Sequence, residues 1–207
     1  MQFFPLFPTP VCEFYLKDLE LQAQVLAHVS QLPFRNNGAQ HTAANQQTDH
    51  YLHHDPSLAR FFSWINHCVD QYRQALTYDC DSFAITTAWA NCDRACSGTH
   101  HPRHTHVTSF ISGCYYCTDG SDLYFTDPVI QRSVNAIGVK QFNQERVRNY
   151  PVRRGYFVLF PSWLEHATQP HTAAWDRWSI AVNFMPQGAI NQGVNASGRP
   201  SARINIL

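Results

Sequence analysis

The fold of this 207-residue chain is decided by the stretch Tyr156-Phe157-Val158-Leu159-Phe160-Pro161-Ser162-Trp163-Leu164-Glu165-His166. Its first five residues are all apolar or aromatic, which is the composition of a buried strand. The histidine comes just past that strand, where its ring can meet side chains from an earlier strand. We therefore expect a buried strand that ends at a candidate ligand for a metal or a small molecule.

Short β-rich runs fill the chain around this stretch, from residue 80 onward. They are separated by Gly, Pro, Asn and Asp, the residues typical of turns between strands. The predicted strands are residues 82–90, 107–118, 122–126, 147–150, 155–160 and 177–184.

Two helices are predicted before residue 80. The first covers about residues 18–32, where apolar residues recur at helical spacing until Pro33 ends the run. The second covers about residues 56–77 and begins at Asp55-Pro56, an N-cap followed by proline at the first helical position. Helices followed by strands predict an α+β protein, mainly β, in which the helices back one side of a sandwich or barrel.

We expect one domain over residues 1–185 and a tail over residues 186–207, which is rich in Gly, Asn and Ser. The tail forms either an arm or a late strand. Residues 35–54 and 129–149 are long enough to act as lids.

The densest chemical feature is the segment His100-His101-Pro102-Arg103-His104-Thr105-His106. On an extended chain His104 and His106 point to the same side, because side chains alternate with a period of two. Two imidazoles on one face suit a late first-row metal, although a solvated His-rich loop would show the same pattern. His166 is the third candidate ligand.

The strand predicted at residues 177–184 places polar and apolar side chains on opposite faces. Arg177, Ser179 and Asn183 share one face, and bulky apolar residues share the other. An arginine offers a carboxylate two parallel donors, and a serine two residues later adds a third. A solvated edge strand is the alternative, but the position of Arg177 eleven residues after His166 favours a metal beside an anionic ligand.

The sequence resembles the 2-oxoglutarate–Fe(II) oxygenases that are distantly related to prolyl and aspartyl hydroxylases. The resemblance extends from about residue 3 to residue 185. It is carried by Leu6-Phe7-Pro8-Thr9-Pro10-Val11, His104-Thr105-His106, Ser112-Gly113-Cys114-Tyr115-Tyr116, Phe125-Thr126-Asp127-Pro128, Gly155, Phe160 to His166, and Arg177 to Asn183.

The resemblance implies a double-stranded β-helix, the jelly-roll or cupin-like fold. It implies that Fe(II) is bound by His104 and His166, and that Arg177 and Ser179 hold the distal carboxylate of the cosubstrate 2-oxoglutarate. In the wider superfamily an Asp or Glu usually stands two residues after the first histidine, where this chain has His106. The third ligand is therefore either His106 or water.

The activity implied is the oxidation by O2, most simply the hydroxylation, of a C–H bond in a small amino-acid-like or peptidic substrate. We expect the pocket walls to include the side chains of Trp89, Asn91, Tyr115, Tyr116 and Asn183.

Three alternatives remain open at this stage. A three-histidine dioxygenase without 2-oxoglutarate would account for His106 but not for Arg177. A binding module on the same fold would need no iron. A zinc site drawn from Cys92, Cys96 and His100-His101 is a further alternative.

The overall charge and composition limit the partners. Lys plus Arg equals Asp plus Glu at 15 each, so no general field attracts nucleic acid or an anionic membrane. No apolar run approaches the ~20 residues that span a bilayer. The first residues show no secretory pattern, and the seven cysteines show no disulfide framework, so we expect a cytoplasmic protein.

Overall fold

The computed structural model describes residues 1–2, 7–36, 45–129, 147–192 and 201–206. Its helices are α1 (Leu19–Val29) and α2 (Ala59–Ala75), and single 3-10 turns lie at Leu52–His54 and Pro56–Leu58. Its strands are β1 (Cys12–Tyr15), β2 (Arg35–Asn36), β3 (Asn45–Gln47), β4 (Cys80–Asp93), β5 (Ile111–Tyr116), β6 (Leu123–Thr126), β7 (Val147–Tyr150), β8 (Tyr156–Pro161), β9 (His166–Thr168), β10 (Arg177–Ile190) and β11 (Ala202–Ile204).

The larger sheet contains eight strands within the described ranges, in the order β1-β8-β5-β10-β4-β3-β2, with β11 paired to β10. All of these pairings are antiparallel. The long strand β10 lies at the centre, between β4 and β5. Strands that are far apart in sequence therefore meet along β10.

The smaller sheet has the order β7-β6-β9 in the described part of the chain and is also antiparallel. Two apolar clusters flank the larger sheet. Tyr116, Val158 and Phe160 pack with Leu123 and Phe125 of the smaller sheet. Together the two sheets form the double-stranded β-helix that the sequence resemblance predicted.

The other face of β5 and β8 packs against the helices. Phe61 of α2 is fully buried, and its ring centroid lies 4.9 Å from that of Tyr115. Phe157 and Leu159 belong to the same cluster. Gly113 of β5 makes this packing possible, because an added Cβ would lie 2.6 Å from the Phe157 ring.

The sequence predicted both helices and each of the six strands, although several bounds differ. α2 begins at residue 59, since Pro56–Leu58 form a 3-10 turn capped by the Asp55 carboxylate, which accepts from the Ser57 amide. The pattern missed β2, β3 and β9, whose two or three residues are too short to show a period. It also missed β1, which has four residues.

β10 extends to Ile190, and β11 pairs with its end. A late strand therefore exists in the predicted tail, while the division of the chain at residue 185 stays a prediction. Much of the two predicted lids (residues 37–44 and 130–146) and residues 193–200 of the tail lie outside the described residues. In the described ranges, neither helix has the length and apolar character needed to cross a bilayer.

We expect Phe61→Ala to destabilise the protein by about 3–5 kcal/mol, because it removes a fully buried ring from the contact between α2 and β5. Urea unfolding followed by circular dichroism measures the loss. Gln71→Ala, at an exposed position of the same helix, is the control and should change the free energy of unfolding little. Equal stability of the two variants would contradict this packing.

Candidate metal centre and cosubstrate cavity

Three histidines meet at one end of a cavity between the two sheets. The ligand atoms of His104, His106 and His166 all lie within 4.8 Å of one another. Elsewhere in the described ranges, no other group of three His, Cys, Asp or Glu side chains comes close enough to hold a metal. In particular, the zinc site considered from Cys92, Cys96, His100 and His101 does not assemble.

The backbone brings these histidines together. The amides and carbonyls of His104 and His166 bond to each other at 3.0 and 3.1 Å, which forms an isolated antiparallel bridge. The amide of His106 donates to the Ser162 carbonyl at 3.1 Å. Hydrogen bonds on both sides of the site therefore fix the spacing that the sequence suggested.

Each ring has its Nδ1 next to an oxygen. His104 Nδ1 lies 2.8 Å from the Pro102 carbonyl, and His166 Nδ1 lies 2.9 Å from the Leu164 carbonyl. His106 Nδ1 lies 2.7 Å from Asn183 Oδ1. Because these oxygens only accept, each Nδ1 carries the hydrogen and each Nε2 keeps its lone pair for a metal.

The side-chain oxygen of Asn183 is itself held in place. It also accepts from the Ser112 hydroxyl at 2.9 Å, and the Asn183 amide donates to Thr87 Oγ1 at 3.1 Å. The ring of Trp89 stacks on His106 with centroids 5.8 Å apart. These contacts orient the His106 ring from two sides.

Burial favours the neutral form of two of these imidazoles, His106 and His166. Desolvation is the main cause that lowers the pKa of His106 to about 4 and that of His166 to about 3, and neighbouring histidines lower both further. Neutral imidazoles are the form that binds a metal, so the cluster is ready to bind one at neutral pH. The donor set and its geometry fit a first-row divalent ion such as Fe(II).

The cavity has a volume of about 470 Å³ and extends from the histidines to Arg177. Cross-strand neighbours project to the same face of a sheet, so the polar side chains that line the cavity lie side by side on adjacent strands. Ser179 of β10 pairs with Asn91 of β4 on one side and with Tyr116 of β5 on the other. All three line the cavity.

Buried polar atoms without a hydrogen-bond partner, two donors and one acceptor, lie at the Arg177 end. Among the described residues, Arg177 Nε, the Tyr116 hydroxyl and Asn91 Oδ1 are buried and make no hydrogen bond. Such groups are costly unless something else satisfies them. A carboxylate would satisfy both donors, so this end of the cavity fits the distal carboxylate of 2-oxoglutarate.

Gly120 leaves room for the Arg177 stem. An added Cβ would lie 2.7 Å from Arg177 Cδ and 2.9 Å from its Cγ. The guanidinium carbon lies 5.7 Å from the centre of the Tyr116 ring. The arginine is therefore confined on two sides, and its position is set before any ligand arrives.

Most of the residues predicted for the site reach this cavity: its lining includes His104, His106, His166, Arg177, Ser179, Trp89, Asn91, Tyr116 and Asn183. The prediction that Tyr115 forms a pocket wall is wrong. Its side chain points to the opposite face and packs against Phe61 and Trp64, because neighbouring residues on a strand alternate. The sequence also missed Asp93, which binds Arg177.

Comparison with known proteins shows a similarity between the segment that holds the site and one family. Residues 87–183 match the family model described as "Putative 2OG-Fe(II) oxygenase". This segment includes the three histidines and Arg177, so the match confirms the resemblance stated from the sequence. The match covers less than half of the chain, and over this segment the chain is similar to that family. No curated protein matches the chain.

Solved structures share the fold at low sequence identity. The carbocyclase SnoK from nogalamycin biosynthesis, described as α-ketoglutarate dependent, is 12% identical with a TM-score of 0.66, covering 96% of this chain and 90% of its own. HygX from Streptomyces hygroscopicus, with nickel, 2-oxoglutarate and hygromycin B bound, is 10% identical with a TM-score of 0.60. The match covers 86% of this chain and 83% of the HygX chain. A prolyl hydroxylase from Trichoplax adhaerens, in complex with a hypoxia-inducible-factor peptide, is 16% identical with a TM-score of 0.60. The match covers 85% of this chain and 83% of the hydroxylase chain.

The lowered histidine pKa values predict a pH-dependent stability of the metal-free protein. The unfolded chain takes up protons below the ordinary histidine pKa of about 6.5, whereas folded His106 and His166 resist them until pH is near 4 and 3. Stability should therefore fall as pH drops from about 6.5 towards 4. Urea unfolding in the presence of a chelator measures this. His166→Asn should show a shallower loss, and exposed His67→Asn should behave like the parent.

Replacement of Asn183 by alanine removes the acceptor that orients His106. We expect Fe(II) affinity to fall roughly 10–100-fold, as for other outer-shell partners of metal-bound histidines. Anaerobic competition with a chromogenic chelator measures the affinity. Asn66→Ala, at an exposed position of α2, is the control, and an unchanged affinity in Asn183→Ala would show that this hydrogen bond is not used.

Proposed function

We propose that this protein is a Fe(II)- and 2-oxoglutarate-dependent dioxygenase that hydroxylates a C–H bond of a small amino-acid-like or peptidic substrate. In this proposal His104, His106 and His166 bind the metal, and Arg177 and Ser179 bind the cosubstrate. Trp89, Asn91, Tyr116 and Asn183 form the pocket walls.

A single observation carries the proposal: a histidine cluster and a buried, partly unpaired arginine face the same cavity. A metal site alone would suit many reactions. The arginine adds a specific requirement, since its unpaired Nε calls for an anionic acceptor. A dicarboxylic acid with a keto group can bind the metal at one end and satisfy the arginine at the other.

The residues of the chain have distinct tasks in this reaction. The Nδ1 hydrogen bonds hold the three rings so that Nε2 faces the metal. Ser179 and the Tyr116 hydroxyl stand beside Arg177 as further donors to the distal carboxylate. Arg177, Ser179 and Tyr116 are buried, and a buried setting strengthens their contacts with a charged ligand.

Bound iron supplies the activation of O2 that couples the oxidation of 2-oxoglutarate to that of the substrate. In the overall reaction 2-oxoglutarate, O2 and the substrate C–H yield succinate, carbon dioxide and the hydroxylated substrate. One oxygen atom enters succinate and the other enters the product. No side chain of the cavity is required as a general base.

The substrate side of the cavity supports a small or peptidic molecule. Trp89 and His50, whose rings lie 4.9 Å apart, form an aromatic wall next to His106. Among the described residues, no Asp or Glu side chain lines the cavity. The fold is shared with a structure that holds hygromycin B and with one that holds a peptide, which supports the same range of substrates.

Two alternatives make different predictions. A three-histidine dioxygenase that does not use 2-oxoglutarate would leave the buried donors beside Arg177 without a ligand. A binding module would need neither iron nor the hydrogen bonds that fix the histidine rings. Both are separated from the proposal by the binding of iron and 2-oxoglutarate.

Anaerobic titration of Fe(II) and then 2-oxoglutarate into the apoprotein should produce the weak visible metal-to-ligand charge-transfer band. We expect Arg177→Ala to lose the band at matched 2-oxoglutarate concentration, because the distal carboxylate loses its charged partner. By analogy with other buried charge pairs, this contact is worth about 2 kcal/mol or more, which is roughly 30-fold in affinity. Arg60→Ala, which removes an exposed arginine bound to Asp18, is the control.

Three outcomes separate the candidate functions. A band in the parent and in Arg60→Ala, but not in Arg177→Ala, supports the proposal. Iron binding without a band in the parent favours the dioxygenase that lacks 2-oxoglutarate. If the parent fails to bind iron, the protein is a binding module and the proposal is wrong.

A further inference from the structure

Arg177 makes a buried ion pair with Asp93 at the far end of the cavity. Arg177 Nη1 donates to Asp93 Oδ2 at 2.6 Å, and the two side chains are 2% and 1% exposed. The residues are direct cross-strand partners on β10 and β4. Asp93 is not part of the cavity lining, so it contacts the arginine from behind.

The pair leaves part of the guanidinium for a ligand. Nη1 is occupied by Asp93, whereas Nε has no partner among the described residues. Asp93 is also approached by His101, whose Nε2 lies 3.8 Å from Asp93 Oδ2. The carboxylate therefore fixes one edge of the guanidinium while another donor stays available.

A buried carboxylate beside an anion site is unexpected from electrostatics alone. It lowers the net positive charge that attracts 2-oxoglutarate, and burying it costs free energy. A structural explanation is that Asp93 only holds Arg177 in place. The charges of the other groups in the site suggest a further role.

The metal end of the cavity contributes no negative charge of its own. All three candidate ligands are imidazoles, which bind a metal in their neutral form. Fe(II) brings two positive charges, which the two carboxylates of 2-oxoglutarate cancel. Without Asp93, the loaded cavity would retain the positive charge of Arg177 in a buried setting.

We propose that Asp93 is the charge-balancing residue of this site: it supplies, through Arg177, the negative charge that a ligand set of three histidines lacks. This inference rests on the proposed function. With Asp93 the loaded site is neutral, and a low-dielectric interior favours that state. Asp93 is thus a positioning residue that also sets the relative affinities for the metal and the cosubstrate.

The proposal predicts the direction in which each affinity changes. In Asp93→Asn the Asn oxygen can still accept from Arg177, but one negative charge is gone. The affinity for the 2-oxoglutarate dianion should rise about tenfold, and that for Fe(II) should fall by a similar factor. If Asp93 only held Arg177 in place, the affinity for 2-oxoglutarate would fall instead.

A second variant moves the charge to the metal. His106→Asp adds a carboxylate to the ligand set, so Fe(II) should bind more tightly and 2-oxoglutarate about tenfold more weakly. The double variant Asp93→Asn/His106→Asp restores the balance, and both affinities should return to near the parental values. The single variant His106→Asp tests the same idea even if Asp93→Asn does not fold.

The experiment measures Fe(II) affinity by chelator competition and 2-oxoglutarate affinity by the charge-transfer band at saturating Fe(II), without O2 and at pH 8, where an ordinary imidazole is neutral. Asp70→Asn, which removes a carboxylate from a surface ion pair with Arg73, is the matched control and should change neither affinity.

The outcomes distinguish this inference from the proposed function. Tighter 2-oxoglutarate binding in Asp93→Asn, with recovery of the parental affinity in the double variant, supports charge balance. If Asp93→Asn does not fold, weaker 2-oxoglutarate binding in His106→Asp supports it. Unchanged or weaker binding in Asp93→Asn, or unchanged or tighter binding in His106→Asp, overturns it while the proposed function stands. If the parent forms no complex with Fe(II) and 2-oxoglutarate, the proposed function fails and this inference fails with it.

Discussion

The alternation of side chains along β10 is the constraint on which the rest of the structure depends. Arg177, Ser179, Ala181 and Asn183 face the cavity. Trp178, Ile180 and Val182 alternate with them and pack in the apolar core. Each cavity residue has cross-strand neighbours on β4 and β5 or on β4 alone. This strand thereby sets the separation between Arg177 and Asn183, the partner of His106, at about 20 Å along the strand.

β10 connects two buried regions of the cavity, the histidine cluster and the Arg177 end, and in both the buried groups have little net charge. Around the histidines, desolvation favours the uncharged imidazole, and the Nδ1 hydrogen bonds fix its tautomer. Around Arg177 a charge cannot be removed, so a carboxylate is buried with it. Before any ligand binds, the paired end of the cavity is close to neutral. A metal ion and a dianionic cosubstrate can then enter together without leaving a large net charge.

The sequence predicted much of this arrangement from local patterns. The helical spacing of apolar residues found α1 and α2, and the composition of the buried strands found the central part of the larger sheet. The pattern at residues 104–106 and the alternation at 177–183 indicated the two ends of the cavity. Very short strands were missed because a period needs several residues to show. Tyr115 and Tyr116 were both expected in the pocket wall, but side chains alternate along β5, so only Tyr116 reaches the cavity.

The sequence by itself therefore determined which residues have the chemistry to bind a metal and a carboxylate, since residue type and local spacing are properties of the chain alone. The tertiary structure decided which of them meet. Three contacts of the site join residues that are far apart in sequence. They are the ion pair of Asp93 with Arg177, the hydrogen bond from His106 to Asn183 and the backbone bridge between His104 and His166. Their contacts depend on the register of strands brought together by burial, and no local pattern specifies a register between strands so distant in the chain.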